Sequence, residues 1–161
     1  MNEAPVFYRA DTYTLESSLG FLVNRLGQLL GRELDRRMVD LGLTDAQWKP
    51  MLLLQQGACT TAGDIARMAN LDTGAVTRLL NRLEDKGFIC RRRSPQDRRV
   101  IHLELSAAGR RAADQVPEII SDLANQLLQG FSAEEFACFK DYLDRATHNL
   151  RSLSDAVPEA R

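Results

Sequence analysis

Residues 72–105 constrain the fold most tightly, because two different periodicities meet inside them. Val76, Leu79, Leu80 and Leu83 recur at three- and four-residue intervals, a helical stripe that Asp72 can cap and Lys86-Gly87 ends. Ile101, Leu103 and Leu105 then alternate with His102 and Glu104, the pattern of a half-buried strand. Phe88-Ile89-Cys90 is the predicted partner strand, leaving residues 91–99 as strand end and basic turn. Any fold built on this segment must carry one small hairpin directly after a helix.

Around it the chain predicts helices. Leu15, Leu19, Leu22, Leu26, Leu29, Leu34, Met38 and Leu41 follow helical spacing, with a slip near Gly31, and predict a long helix over 13–41 closed by Gly42. Thr44-Asp-Ala-Gln47 is a capping box for a helix running to about Gln56, with Pro50 one turn in and Gly57 as its stop. Thr61-Ala-Gly-Asp64 opens a short helix to about Ala69. Ser106 caps a long helix to about Gln129, with a bend expected near Pro117. Ser132-Ala-Glu-Glu135 opens a last helix to about Leu153. Residues 1–12 and 154–161 read as tails. The class is mainly α with a small β-ribbon.

At 161 residues the chain suits one domain with a real core. No apolar run approaches the roughly 18 residues that cross a bilayer, and the N-terminus lacks the basic and apolar regions of a signal peptide. The expectation is a soluble, cytoplasmic protein with no membrane partner. Cys59, Cys90 and Cys138 are an odd number without metal-ligand spacing, which suits a reducing compartment. The net charge of −1 hides a strong segregation: residues 60–111 hold eleven Lys/Arg against six acids, a local +5 that leaves the remainder at −6. A local basic patch is what phosphate binding requires.

The helix over 72–86 turns Thr73, Thr77, Arg78, Asn81 and Arg82 away from its apolar stripe. Arginine can take guanine O6 and N7, asparagine can take adenine, and threonine can meet phosphate or a thymine methyl. With the short helix before it, joined through Asn70-Leu71, the pair matches helix-turn-helix dimensions. Arg98 and Arg99 at the hairpin turn suit a minor groove or phosphates. Asp97, repelled by phosphate, suits the role of orienting an adjacent arginine. The plainer alternatives are a solvated polar helix face and a solubilising basic loop.

Residues 72–89 (Asp-Thr-Gly-Ala-Val-Thr-Arg-Leu-Leu-Asn-Arg-Leu-Glu-Asp-Lys-Gly-Phe-Ile), Arg-Ser-Pro-Gln-Asp-Arg-Arg-Val ending at Val100, and Leu-Glu-Leu-Ser-Ala-Ala-Gly ending at Gly109 together resemble the MarR family of winged-helix regulators. The resemblance spans about residues 12–150, includes Leu-Thr-Asp-Ala-Gln-Trp48, and looks closest to the SlyA-like branch. It implies a winged helix-turn-helix lobe (61–86 and a wing over 88–105) and a dimerisation lobe formed by helices 13–41 and 106–153. It also implies that Arg99 is the minor-groove arginine, that the protein is an obligate homodimer, and that double-stranded DNA is its partner. An effector pocket for a small aromatic carboxylate or phenol is implied where the lobes meet, with Tyr13, Asn24, Arg25, Trp48, Met51 and Leu52 as candidate lining. Trp48 and Met51 read more readily as plain core, and Arg25 more readily as part of a surface or interface ion pair.

Phe136, Phe139, Leu143, Ala146, Leu150 and Leu153 repeat with heptad spacing, and Val116, Ile120, Leu123 and Leu127 do likewise on the preceding helix. These stripes serve either intrachain packing or association. Catalysis has little to work with: His102 and His148 fall on separate elements, without a phosphate loop, metal spacing or nucleophile motif, so no cofactor is expected. Peroxide-sensing relatives use a cysteine in the N-terminal helix, and none precedes Cys59 here; Cys90 beside Arg91 reads as a structural thiol. The functional reading is a sequence-specific transcriptional regulator, a repressor of a palindromic operator, with a nonspecific architectural DNA-binding protein as the alternative.

Overall fold

The computed structural model describes residues 5–97 and 99–155. They form α1 (Leu19–Met38), a 3-10 turn (Val39–Leu41), α2 (Asp45–Gln55), α3 (Ala62–Ala69), α4 (Thr73–Asp85), β1 (Ile89–Arg93), β2 (Ile101–Leu105), α5 (Ala107–Leu127) and α6 (Ala133–Asp155). The expected class holds: helices with one antiparallel two-stranded ribbon. Contacts divide the chain into two units, Met1–Ile120 and Ser121–Arg161, a division the sequence reading does not make.

Local side-chain chemistry sets most boundaries. Thr61 Oγ1 accepts from the Asp64 N–H, while the Asp64 carboxylate accepts from the Thr61 N–H. Ser132 and Glu135 make the same reciprocal pair at the start of α6. The Gln47 amide oxygen accepts from the Thr44 N–H at 3.2 Å. Asp72 accepts from the Ala75 N–H at 2.8 Å and starts α4.

Three boundaries differ from expectation. The first helix begins at Leu19 rather than near residue 13, because Ser18 folds back locally: its N–H and hydroxyl both donate to the Leu15 carbonyl, and its Oγ then caps α1 through the Phe21 N–H. That helix ends at Met38, and Gly42, at φ +66°, closes the 3-10 turn that follows. β1 runs on to Arg93, because its pairing with β2 continues from Ile89↔Leu105 through Arg93↔Ile101. Helix α5 passes Pro117 without interruption. The presumed N-terminal tail is partly anchored: the Leu19 N–H donates to the Tyr8 hydroxyl at 2.8 Å, and Tyr8 packs against Tyr13. Residues 1–4 and, of the C-terminal tail, 156–161 lie outside the described residues.

The core of the first unit is built from Met38, Leu43, Met51, Ile65, Val76, Leu80, Leu83, Ile89, Leu103, Leu105 and Val116, all buried. One close approach fixes a glycine: a Cβ on Gly109 would lie 2.0 Å from the Phe88 carbonyl oxygen. Ser106 tightens the same junction, its N–H donating to Phe88 and its hydroxyl to the Gly87 carbonyl at 2.6 Å.

Candidate nucleic-acid interface

Helix α4 is aimed by what holds its two ends and its inner side. At the N-terminal end, Asn70 takes a left-handed conformation (φ 53°, ψ 48°) that ends α3 and lets the chain re-enter helix within three residues. Asparagine tolerates that region better than any branched residue. At the C-terminal end the Lys86 ammonium donates to the Gly42 carbonyl at 2.7 Å and to Gln47 Oε1 at 2.9 Å. Val76, Leu79, Leu80 and Leu83 are buried between these anchors. The sequence reading missed Lys86 because its partners lie about forty residues away.

The opposite face is open. Thr73, Thr77, Arg78, Asn81 and Arg82 are all exposed, as the stripe predicted. They are not equivalent. The Thr77 hydroxyl donates to the Thr73 carbonyl at 2.8 Å, which points it along the helix. Arg78 and Arg82 border a hollow of about 480 Å³ shared with Thr44, Leu71, Leu79, Asp85 and Lys86. Asn81 leans the other way, toward β1, where its Oδ1 accepts from Arg91 Nη2 at 2.7 Å.

The turn after β1 is closed by its own side chains. Ser94 is buried, its Oγ accepting from the N–H groups of Gln96 and Asp97, while its own N–H donates to the Val100 carbonyl. Asp97 Oδ1 accepts from the Arg99 N–H at 2.9 Å, so the aspartate orients this arginine through the backbone. Arg99 is exposed; Arg98 lies outside the described residues. The basic run before the turn is partly neutralised. Arg91 pairs with Glu84 at 2.7 Å and Arg92 with Glu104 at 3.0 Å, whereas Arg93 is exposed. Ser94 and Arg91 are thus two site-shaping residues the sequence reading did not single out. A serine three residues before a turn aspartate was the signal available in the sequence.

The six candidate effector-lining residues are not brought together within one chain. Tyr13 borders a hollow of about 550 Å³ with Phe7, Tyr8 and Arg9, while Asn24 borders another with Arg32, Asp35 and Asp45. Arg25 is exposed, Met51 is fully buried in the core, and Leu52 is half-buried. Trp48 is half-buried, its Nε1–H donating to Asp45 at 3.0 Å. The six are spread over three segments: Tyr13 precedes α1, Asn24 and Arg25 lie on α1, and Trp48, Met51 and Leu52 on α2.

Cys59 is buried, and burial, followed by the nearby Asp64 carboxylate, pushes its thiol up. Asp64 is itself held below the usual carboxylate range, first by the Thr61 hydroxyl. Cys90 is half-buried, with its Sγ 3.7 Å from the Glu104 carbonyl, and Cys138 is exposed. His102 sits on β2 and His148 on α6. Among the described residues no helix is long and apolar enough to cross a membrane.

The sequence profile of the MarR family matches residues 43–101, which run from two residues before α2 to the first residue of β2. The multiple antibiotic resistance protein MarR of Escherichia coli is 30% identical over 128 residues, covering 79% of this chain and 89% of that protein. A crystal structure of a MarR mutant from E. coli complexed with operator DNA superposes with a TM-score of 0.74 at 29% identity, covering 80% of this chain and 92% of that one. The transcriptional regulator SlyA shares the fold, with a TM-score of 0.78 at 20% identity over 83% of this chain and 94% of its own.

Proposed function

The chain belongs to the MarR family of transcription regulators, which are not enzymes, and on that premise we propose that it is a homodimeric, sequence-specific DNA-binding repressor. It would read a palindromic operator, with α4 in the major groove and the Arg99 turn in the adjacent minor groove. The observation that carries this reading is the α4 outer face. Thr73, Thr77, Arg78, Asn81 and Arg82 stand exposed on a helix anchored at both ends, beside a turn whose Asp97 fixes the backbone of Arg99. The operator DNA bound to the 29% identical E. coli MarR supports the same use of the fold.

Dimerisation is supported by apolar residues left in water. Leu19, Leu22, Leu26 and Leu29 of α1 are exposed, and so are Phe136, Leu143, Leu150 and Leu153 of α6. Two symmetry-related α4 helices would meet half-sites one helical turn apart. A small aromatic carboxylate or phenol is the proposed effector class, supported by the grouping of Phe7, Tyr8, Tyr13 and Arg9 around one hollow. Ligand-induced melting shifts across a panel of such anions would test it.

Footprinting at two salt concentrations tests the main proposal. A short palindromic footprint that survives competitor DNA is expected, with Arg99→Ala weakening it about tenfold or more. Uniform protection that salt abolishes would instead support an architectural role.

A further inference from the structure

Asn81 is the one side-chain amide on the exposed α4 face, with its donor and its acceptor at separate ends, and one end is already engaged. Arg91 Nη2 donates to Asn81 Oδ1 at 2.7 Å, and Arg91 Nη1 donates to Glu84 Oε2 at 2.7 Å. A guanidinium has only donors, so the amide must meet it with its oxygen, and its orientation follows from chemistry alone. Arg91 is well placed to impose it. The β1–β2 register puts Arg91 opposite Leu103, on the ribbon side that bears buried Ile89 and Leu105, and its side chain is only 31% exposed. Glu84, three residues after Asn81 on α4, takes the other arm of the fork.

We infer that Arg91 is a specificity-positioning residue, which holds the Asn81 amide by its oxygen and turns the amide nitrogen toward the DNA. This rests on the proposed groove-reading role of α4 and sharpens it. Bidentate reading of adenine needs the oxygen to accept from N6 while the nitrogen donates to N7. The charge-assisted bond from Arg91 occupies one lone pair of that oxygen, and an adenine amino group approaching the other meets the positive guanidinium. Asn81 then presents donors only. Its matching base edges are those rich in acceptors, guanine O6 and N7 or thymine O4, and adenine is disfavoured. The expectation of adenine drawn from residue type alone is thereby reversed.

The test is selection from a randomised duplex library by the full-length protein, with base frequencies compared between variants. Asn81→Ala marks the position it reads as the one where preference collapses. At that position the wild type should favour guanine or thymine over adenine. Arg91→Met keeps the aliphatic stem on β1 but removes the donors, and should raise adenine there at least fivefold while leaving other positions unchanged. Glu84→Gln loosens the anchor of Arg91 and should move the same position in the same direction by a smaller factor, which covers the case of a poorly folded Arg91→Met. Adenine already preferred by the wild type, or an unaltered profile in both variants, would overturn the inference while leaving the DNA-reading role intact. A wild type that enriches no sequence at all would sink that role instead.

Discussion

On α4, Val76, Leu79, Leu80 and Leu83 repeat every three or four residues, and all four are buried. On α6, Phe136, Leu143, Leu150 and Leu153 repeat with comparable regularity, and all four are exposed, the last two by about two-thirds (67% and 66%). The spacing of an apolar stripe tells which side of a helix seeks cover. It does not tell what supplies the cover. For α4 the cover comes from α2, α3 and β1 of the same chain. For α6, and for the exposed leucines of α1, the proposed answer is a second copy. These leucines are already partly covered, so each moved fully out of water would contribute on the order of 1 kcal/mol, and leaving both stripes wet would be costly in sum.

The largest effect should come where the first unit is tightest. Gly109→Ala would drive a methyl group against the Phe88 backbone, with no flexible side chain to give way. A loss on the order of 3 kcal/mol or more is expected, lowering Tm by roughly 6–12 °C. Thermal melts at several protein concentrations should show the same drop at each. A Tm within 2 °C of wild type would mean that the α5 start is looser than its geometry.

The comparison itself is tested by a matched pair. Leu80→Ala removes a side chain sealed in the first unit and should cost about 2–5 kcal/mol at any protein concentration. Leu143→Lys should leave the fold of the chain intact and raise the dimer dissociation constant by about tenfold or more, as read by sedimentation. Equal sedimentation of wild type and variant would place α6 outside the interface.

Lys86→Met comes next. It leaves the Gly42 carbonyl and Gln47 without their charged donor and should cost about 1–2 kcal/mol. Because the clamp aims α4, operator affinity should fall further than stability alone requires. Proportional losses of both would reduce Lys86 to a simple stabilising contact.

What could be read from the chain was whatever is decided within four residues. The starts at Thr44, Thr61, Asp72, Ser106 and Ser132 are short-range hydrogen-bond patterns, and each opens a helix as expected. The polar face of α4 follows from the same periodicity. The internal state of that face does not, because Arg91 reaches Asn81 across ten positions by way of a strand register that no local signal fixes. Ser17-Ser18 was a legible cap, overridden in the reading by the run of leucines that begins at Leu15. Within one chain Tyr13 and Asn24 border separate hollows, because nearness to a lobe junction in sequence does not by itself put side chains in one cavity.

The smallest expected effect lies on α1, where the exposed leucines share the helix with a charged cluster. Glu33 accepts from Arg36 Nη2 at 2.6 Å and from Arg37 Nε at 2.7 Å. The hydrogen bond from Arg36, then that from Arg37, pushes its carboxyl from the ordinary 4.5 down to about 2. The unfolded chain therefore binds this proton more readily than the folded one. The contribution is complete above pH 4.5 and is lost as the pH falls from there toward 2. Arg36 is exposed while Glu33 and Arg37 are half-buried, so the share of the Arg36 pair should be small and screened by salt. Glu33→Gln should thus flatten the acid limb of a stability–pH curve slightly at low ionic strength and leave it unchanged in molar salt. A flattening that persists in molar salt would mean that the half-buried Glu33–Arg37 pair, rather than exposed Arg36, carries the effect.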